Sequence, residues 1–168
     1  MKLSETIRGS GLRWLWVTLL IIISDQWTKV AAENALSLHE RVAIAPMLNL
    51  TLAYNTGAAF SFLADESGWQ RWFFAVLAFG VSGFLVAWLA REPASHRWQN
   101  IALSLILGGA LGNLWDRLSN PHGAVVDFID VYYRDWHWPA FNIADSAITV
   151  GAVMLVTLTL FGKQERGN

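Results

Sequence analysis

WQRWFFAVLAFGVSGFLVAWLA, residues 69–90, carries a single charged side chain, Arg71, near one end. It is as long as the roughly 20 apolar residues that a helix needs to cross the hydrocarbon of a bilayer. Three more stretches read the same way, 12–30, 98–115 and 141–161. In lipid every backbone polar group must be paired within its own segment, so four helices are the economical reading. The composition agrees: 54% of the 168 residues are hydrophobic and 15% are charged, where a soluble domain carries about 25% charged residues. A formal net charge of −1 gives no reason to expect nucleic acid as a partner. The chain has no Cys, which removes disulfides, thiol nucleophiles and thiolate-held metals. One integral membrane domain over 1–168, solvated by membrane lipids, is expected.

The first run, 12–30, follows Lys2 and Arg8 and has Arg13 at its start, which also fits the n- and h-regions of a cleaved signal peptide. Its continuation through Trp27 and Val30, with three more spans behind it, favours a retained helix. Lys2, Arg8, Arg91, Arg97, Lys163 and Arg166 fall in the N-terminus, the 91–97 loop and the C-terminus, against Arg41, Arg117 and Arg134 in the other connections. The positive-inside bias therefore predicts a multi-pass protein with both termini cytoplasmic. All ten Trp residues fall near span ends or in the outer loops, as interfacial anchors do.

The two long connections then lie outside, where function is expected. LNLTLAY (48–54) alternates apolar with small or polar residues and reads as a strand running into a turn at Asn55-Thr56-Gly57. NPHG (120–123) is a second turn signal, followed by the β-branched run VVDFIDVY (125–132). A small outer sheet on the membrane surface is predicted.

Polar groups near spans are costly and usually have a reason. GGALGNLWDR (108–117) puts Asn113, Asp116 and Arg117 on one helix face, while its glycines let another helix come close. From residue types alone, a helix-end ion pair and a functional role stay equally open there. FNIADSAI (141–148) sets Asn142 and Asp145 three apart; a helix cap explains Asn142 but not Asp145. Asp25 has Lys29 at i+4, which favours a structural ion pair. With Asp127 in the loop between the third and fourth spans, these carboxylates can meet in one polar site, where two that share a proton can activate water.

Other chemistries fit less well. There is no HExxH, and His39, His96, His122 and His137 lack compact ligand spacing, so neither a metal nor any other cofactor is expected. Ser146 has no nearby His or Lys to activate it. The alternative from another class is a small proton-coupled carrier or channel subunit in which the same carboxylates relay protons. It should show repeated halves or interrupted helices, and none is evident.

DQWTK (25–29), YNTGAAFSF (54–62), GGALGNLWDR (108–117), VVDFID (125–130) and FNIADSAI (141–148) resemble, in order, the motifs of lipoprotein signal peptidases, the type II signal peptidases of bacteria. The resemblance covers nearly the whole chain. It implies a four-transmembrane-helix bundle with a small extracytoplasmic β-cradle and a short outer helix between the first two spans. It also implies an aspartyl endopeptidase of the bacterial inner membrane, with its active site near the outer face. Such an enzyme cuts diacylglyceryl-modified prolipoproteins just before the lipidated Cys and needs no cofactor. Carried onto this sequence, the catalytic pair is Asp127 and Asp145, with Asn55, Asn113, Arg117 and Asn142 supporting the site and Asp25 and Asp116 structural. Asp145, in the first turns of the fourth helix, is expected to be ionised. Asp127, on an extended segment among Val125, Val126 and Phe128, is expected to be neutral.

Overall fold

The computed structural model describes residues 7–57 and 68–161. A turn of 3-10 helix, Gly11–Trp14, leads into α1 (Leu15–Ala35), followed by α2 (Trp69–Arg91), α3 (Arg97–Ser119) and α4 (Ile143–Phe161). The helix ends differ from the expected spans for local reasons. α3 runs on to Ser119 and stops where Asn120 turns extended, as the residue before Pro121 must. α4 starts at Ile143 because Phe141 is taken into a bridge with Ile129 and Asn142 caps the helix.

Among the described residues, three helical segments, Gly11–Ala35, Trp69–Arg91 and Ile143–Phe161, are long and apolar enough to cross a membrane. α3, which covers the third expected span, is less apolar and is not among them. Its position explains the difference. α3 packs against all three other helices and buries Asn100, Ser104, Asn113, Asp116 and Arg117 along with Leu103 and Leu107. A helix surrounded by protein does not need a lipid-compatible surface. By contrast Leu19, Leu20 and Ile23 on α1, Val76, Phe79 and Phe84 on α2, and Val150, Val153 and Leu160 on α4 are exposed, as residues facing lipid would be.

Because lipid is as apolar as leucine, helices in a membrane associate through close packing and hydrogen bonds rather than through the hydrophobic effect. Leu85 and Leu89 of α2 interlock with Leu103 and Leu107 of α3 in the core. The α1 and α4 seams depend on the α3 glycines. A Cβ on Gly109 would run into the backbone oxygen of Ala144, and one on Gly112 would sit 2.7 Å from Asp25 Oδ2. The glycine run thus brings both partner helices, and the carboxylate of one, against α3.

Outside the helices lies a four-stranded antiparallel sheet in the order β1 (Arg41–Ala45), β2 (Leu48–Asn55), β3 (Val125–Tyr133), β4 (Trp136–His137). β2 and β3 are the two strands read in the sequence. β2 joins β3 with Asn49 opposite Asp130 and Ala53 opposite Asp127, and the register shifts between Leu50 and Ala53. The N–H groups of Phe128 and Ile129 both donate to Phe141 O, which ties the middle of β3 to the residue just before Asn142. This link brings the β3 aspartate to the start of α4. The connection between β2 and α2 contains no helix among the described residues; residues 58–67, which include the second half of YNTGAAFSF, lie outside them, and with them the expected short outer helix goes untested.

Candidate active site

α4 opens with reciprocal bonds between Asn142 and Asp145. Asn142 Oδ1 accepts the Asp145 N–H at 2.8 Å, and Asp145 Oδ2 accepts the Asn142 N–H at 3.3 Å. This is a capping box built from Asn and Asp, so the helix start accounts for Asp145 as well as for Asn142. The next free N–H, that of Ala144, is taken by Asp25 Oδ1 of α1 at 2.9 Å.

Asn142 also reaches β3: its Nδ2 donates to Asp127 Oδ1 at 2.7 Å, while Asn55 Nδ2 at the end of β2 donates to Asp127 Oδ2 at 3.1 Å. One asparagine therefore touches both aspartates. Asn113 of α3 completes this layer, donating from Nδ2 to Asp145 Oδ1 at 2.8 Å and accepting at Oδ1 from Asn142 Nδ2 at 3.2 Å.

Beneath lies an ionic layer. Lys29, 2% exposed, points its ammonium at Asp25 Oδ2 (2.7 Å), Asp116 Oδ2 (2.8 Å) and Asn113 Oδ1 (3.0 Å). Gln26 Nε2 braces Asp116 Oδ1 at 2.8 Å, and Asp116 Oδ2 receives the Val126 N–H at 3.1 Å, anchoring β3 to α3. Arg117 donates to the carbonyls of Asn113 and Gly57, at 3.2 and 2.9 Å.

All eight residues singled out in the sequence, Asp25, Asn55, Asn113, Asp116, Arg117, Asp127, Asn142 and Asp145, thus lie in one connected network. The Asp25–Lys29 ion pair is present, but Lys29 is more than a structural partner. It is the hub of the ionic layer, a role that its i, i+4 spacing from Asp25 does not show. A lone cation in an apolar run with carboxylates on two helices was the available signal.

Asp127 is 2% exposed and accepts hydrogen bonds from the side-chain amides of Asn55 and Asn142. Burial first, and then the charge of Asp145, push its carboxyl up to about 7, against the lowering pull of Asn55, Lys29 and Asn142. A carboxyl that is often protonated, beside a second carboxylate and within reach of the outer sheet, can donate a proton while its neighbour accepts one.

A second cluster sits further along β3. Asp130 Oδ2 accepts from Asn49 Nδ2 at 2.9 Å and faces Arg41 Nε at 3.5 Å, and His137 Nδ1 lies 2.8 Å from Oδ1. Burial would raise this carboxyl, but the hydrogen bonds of Asn49 and His137 and the charges of His137 and Arg41 outweigh burial and hold it below its ordinary value. None of these partners belongs to the Asp127–Asp145 network.

The model of the family described as signal peptidase (SPase) II matches residues 17–161. A lipoprotein signal peptidase of Aeromonas hydrophila is 54% identical over 155 residues, covering 92% of this chain and 92% of the relative. One from Pseudomonas aeruginosa is 53% identical over 165 residues, covering 97% of this chain and 96% of the relative. Among solved structures, a bacterial membrane enzyme determined by the in meso method at 2.3 Å superposes with a TM-score of 0.80 at 29% identity, covering 93% of this chain and 94% of that one.

Proposed function

The chain belongs to the signal peptidase II family, aspartic peptidases that remove the signal peptides of prolipoproteins, and from that premise we propose that Asp127 and Asp145 are its catalytic pair. The observation that carries the assignment is Asn142, whose side chain and backbone N–H hydrogen-bond the two aspartates. The elevated Asp127 carboxyl supports a division of labour. Asp145, which accepts N–H bonds from Asn113 and Asn142, takes a proton from water as that water attacks the scissile carbonyl. Asp127 gives its proton to the leaving amine. Asn55, Asn113 and Asn142 hold the carboxyl groups in place, and Arg117 secures the chain at Gly57. No step calls for a metal or other cofactor.

The substrate is a diacylglyceryl-modified prolipoprotein, cut just before the lipidated Cys. Each buried CH₂ holds such a substrate in the bilayer by about 0.8 kcal/mol, so the peptidase must work at the membrane surface. The sheet and the outer helix ends, where Trp27, Trp69, Trp72, Trp115, Trp136 and Trp138 are exposed, suit that depth. The protein resides in the bacterial inner membrane with α3 as a fourth, sheltered span, both termini cytoplasmic and the site near the outer face. Family membership leaves no need for the carrier or channel alternative.

The test is cleavage of a purified lipid-modified prolipoprotein by the purified protein in detergent, with a chelator present and the new N-terminus read by mass spectrometry. Cleavage before the lipidated Cys that is lost in Asp127→Asn and Asp145→Asn supports the reading; undiminished cleavage by either variant refutes the pair. Orientation is checked in cells with thiols placed at His122 and Ser95. The first should react from outside and the second should not; the reverse pattern inverts the topology.

A further inference from the structure

We propose that Lys29 is a positioning residue for the catalytic pair, acting through the side-chain amide of Asn113 to keep Asp145 as a proton acceptor. The proposal rests on the assignment of Asp127 and Asp145 above. An ammonium has three donors and no acceptor. The three donors of Lys29 face three acceptors, Asp25 Oδ2 at 2.7 Å, Asp116 Oδ2 at 2.8 Å and Asn113 Oδ1 at 3.0 Å, and the side chain is 2% exposed. Asn113 must therefore turn its oxygen toward Lys29. Its Nδ2 is then directed at Asp145 Oδ1, 2.8 Å away.

Flipping the amide would set its NH₂ against the ammonium and against Asn142 Nδ2, which reaches the same oxygen at 3.2 Å. It would also set the Asn113 oxygen against a carboxylate oxygen, an arrangement relieved only by a proton on Asp145. Lys29 thus excludes the amide orientation in which Asp145 is the wrong partner for water. The charged groups around this amide, among the described residues, are Asp25 and Lys29 on α1, Asp116 and Arg117 on α3, Asp127 on β3 and Asp145 on α4. Of these, only Lys29 donates to the Asn113 side chain.

Lys29→Met leaves two buried carboxylates short of a cation, so the charge-balanced Lys29→Met/Asp116→Asn is measured beside it, with thermal midpoints for both. In whichever variant folds, kcat for a lipid-modified prolipoprotein should drop on the order of 100-fold, as misorientation of a reacting group does, with KM nearly unchanged. The acid limb of the kcat profile should move to higher pH. Combined with Asn113→Ala, Lys29→Met should add little to the loss caused by Asn113→Ala alone, because both remove the same constraint. Losses that multiply, an unmoved acid limb, or failure of both Lys29 variants to fold would assign Lys29 to stability and overturn the proposal. Asp145→Asn is assayed in parallel. If it cleaves normally, the pair itself is misassigned; if it is inactive while Lys29→Met cleaves normally, the relay through Asn113 alone is wrong.

Discussion

Asp127 and Asp130 stand three residues apart on one strand, 2% and 3% exposed, and their carboxyl groups behave in opposite ways. Asp127 meets the amides of Asn55 and Asn142 and the field of a second carboxylate, and it is pushed up to about 7. Asp130 meets the amide of Asn49, His137 and Arg41, which together hold it below its ordinary value against the raising effect of burial. Burial alone therefore does not make a carboxyl group a catalyst. At Asp127 burial and the charge of Asp145 win over the lowering pull of its amides, whereas at Asp130 the hydrogen bonds of Asn49 and His137 and the nearby charge of Arg41 win over burial.

The largest consequence is for turnover. Asp127→Asn should lower kcat/KM by about 1,000-fold or more, as loss of a general acid does, whereas Asp130→Asn should stay within about tenfold of the unmodified protein. Equal losses in two folded variants would remove the distinction between the carboxyl groups. Next in size is the pH dependence. Asp127 must hold its proton to act as the acid, and that proton leaves as pH rises through about 7. Activity should then fall by about tenfold for each further pH unit, and a rate that stays level to pH 9 would contradict the assignment.

The smallest effect is on stability, and it differs in sign between the two positions. The folded-state value of Asp127 lies above its unfolded one, so its contribution is present at low pH and lost as pH rises from about 4 to about 7. Asp127→Asn should therefore gain stability relative to the unmodified protein across that window. Asp130, held low, contributes above its unfolded value and loses that contribution as pH falls below it. Asp130→Asn should cost about 1–3 kcal/mol at pH 7 by leaving its donors short of an anion, and the deficit should shrink in acid. Thermal or denaturant unfolding in detergent at pH 4, 6 and 8 separates the two.

Much of this difference was out of reach of the sequence. VVDFID shows two aspartates in one β-branched run; the sequence places Asp127 among the carboxylates that can meet, and the family resemblance makes it half of a catalytic pair. The partners of Asp130 come from Arg41 and Asn49, far away in the chain, and from His137 beyond a turn, so no local spacing announces them. The apolar runs did locate the helices, because length and hydropathy are local properties. They located α3 too, but not the reason it can carry polar residues, which are sheltered by packing that is not local. Neither β1 nor β4, which is only two residues long, is among the strands read in the sequence. Asn142 and Asp145 were legible as a spacing, but the capping box that joins them to Asp127 needed the pairing of β3 with Phe141.

Infrared titration of the protonated carboxyl band tests the central claim most directly, that Asp127 carries the proton of the pair while Asp130 is ionised. Between pH 5 and 8 the purified protein should show a protonated-acid band that fades with a midpoint near 7, is missing in Asp127→Asn and persists in Asp130→Asn. A band that survives Asp127→Asn and disappears in Asp130→Asn or Asp145→Asn would place the proton elsewhere and contradict the account.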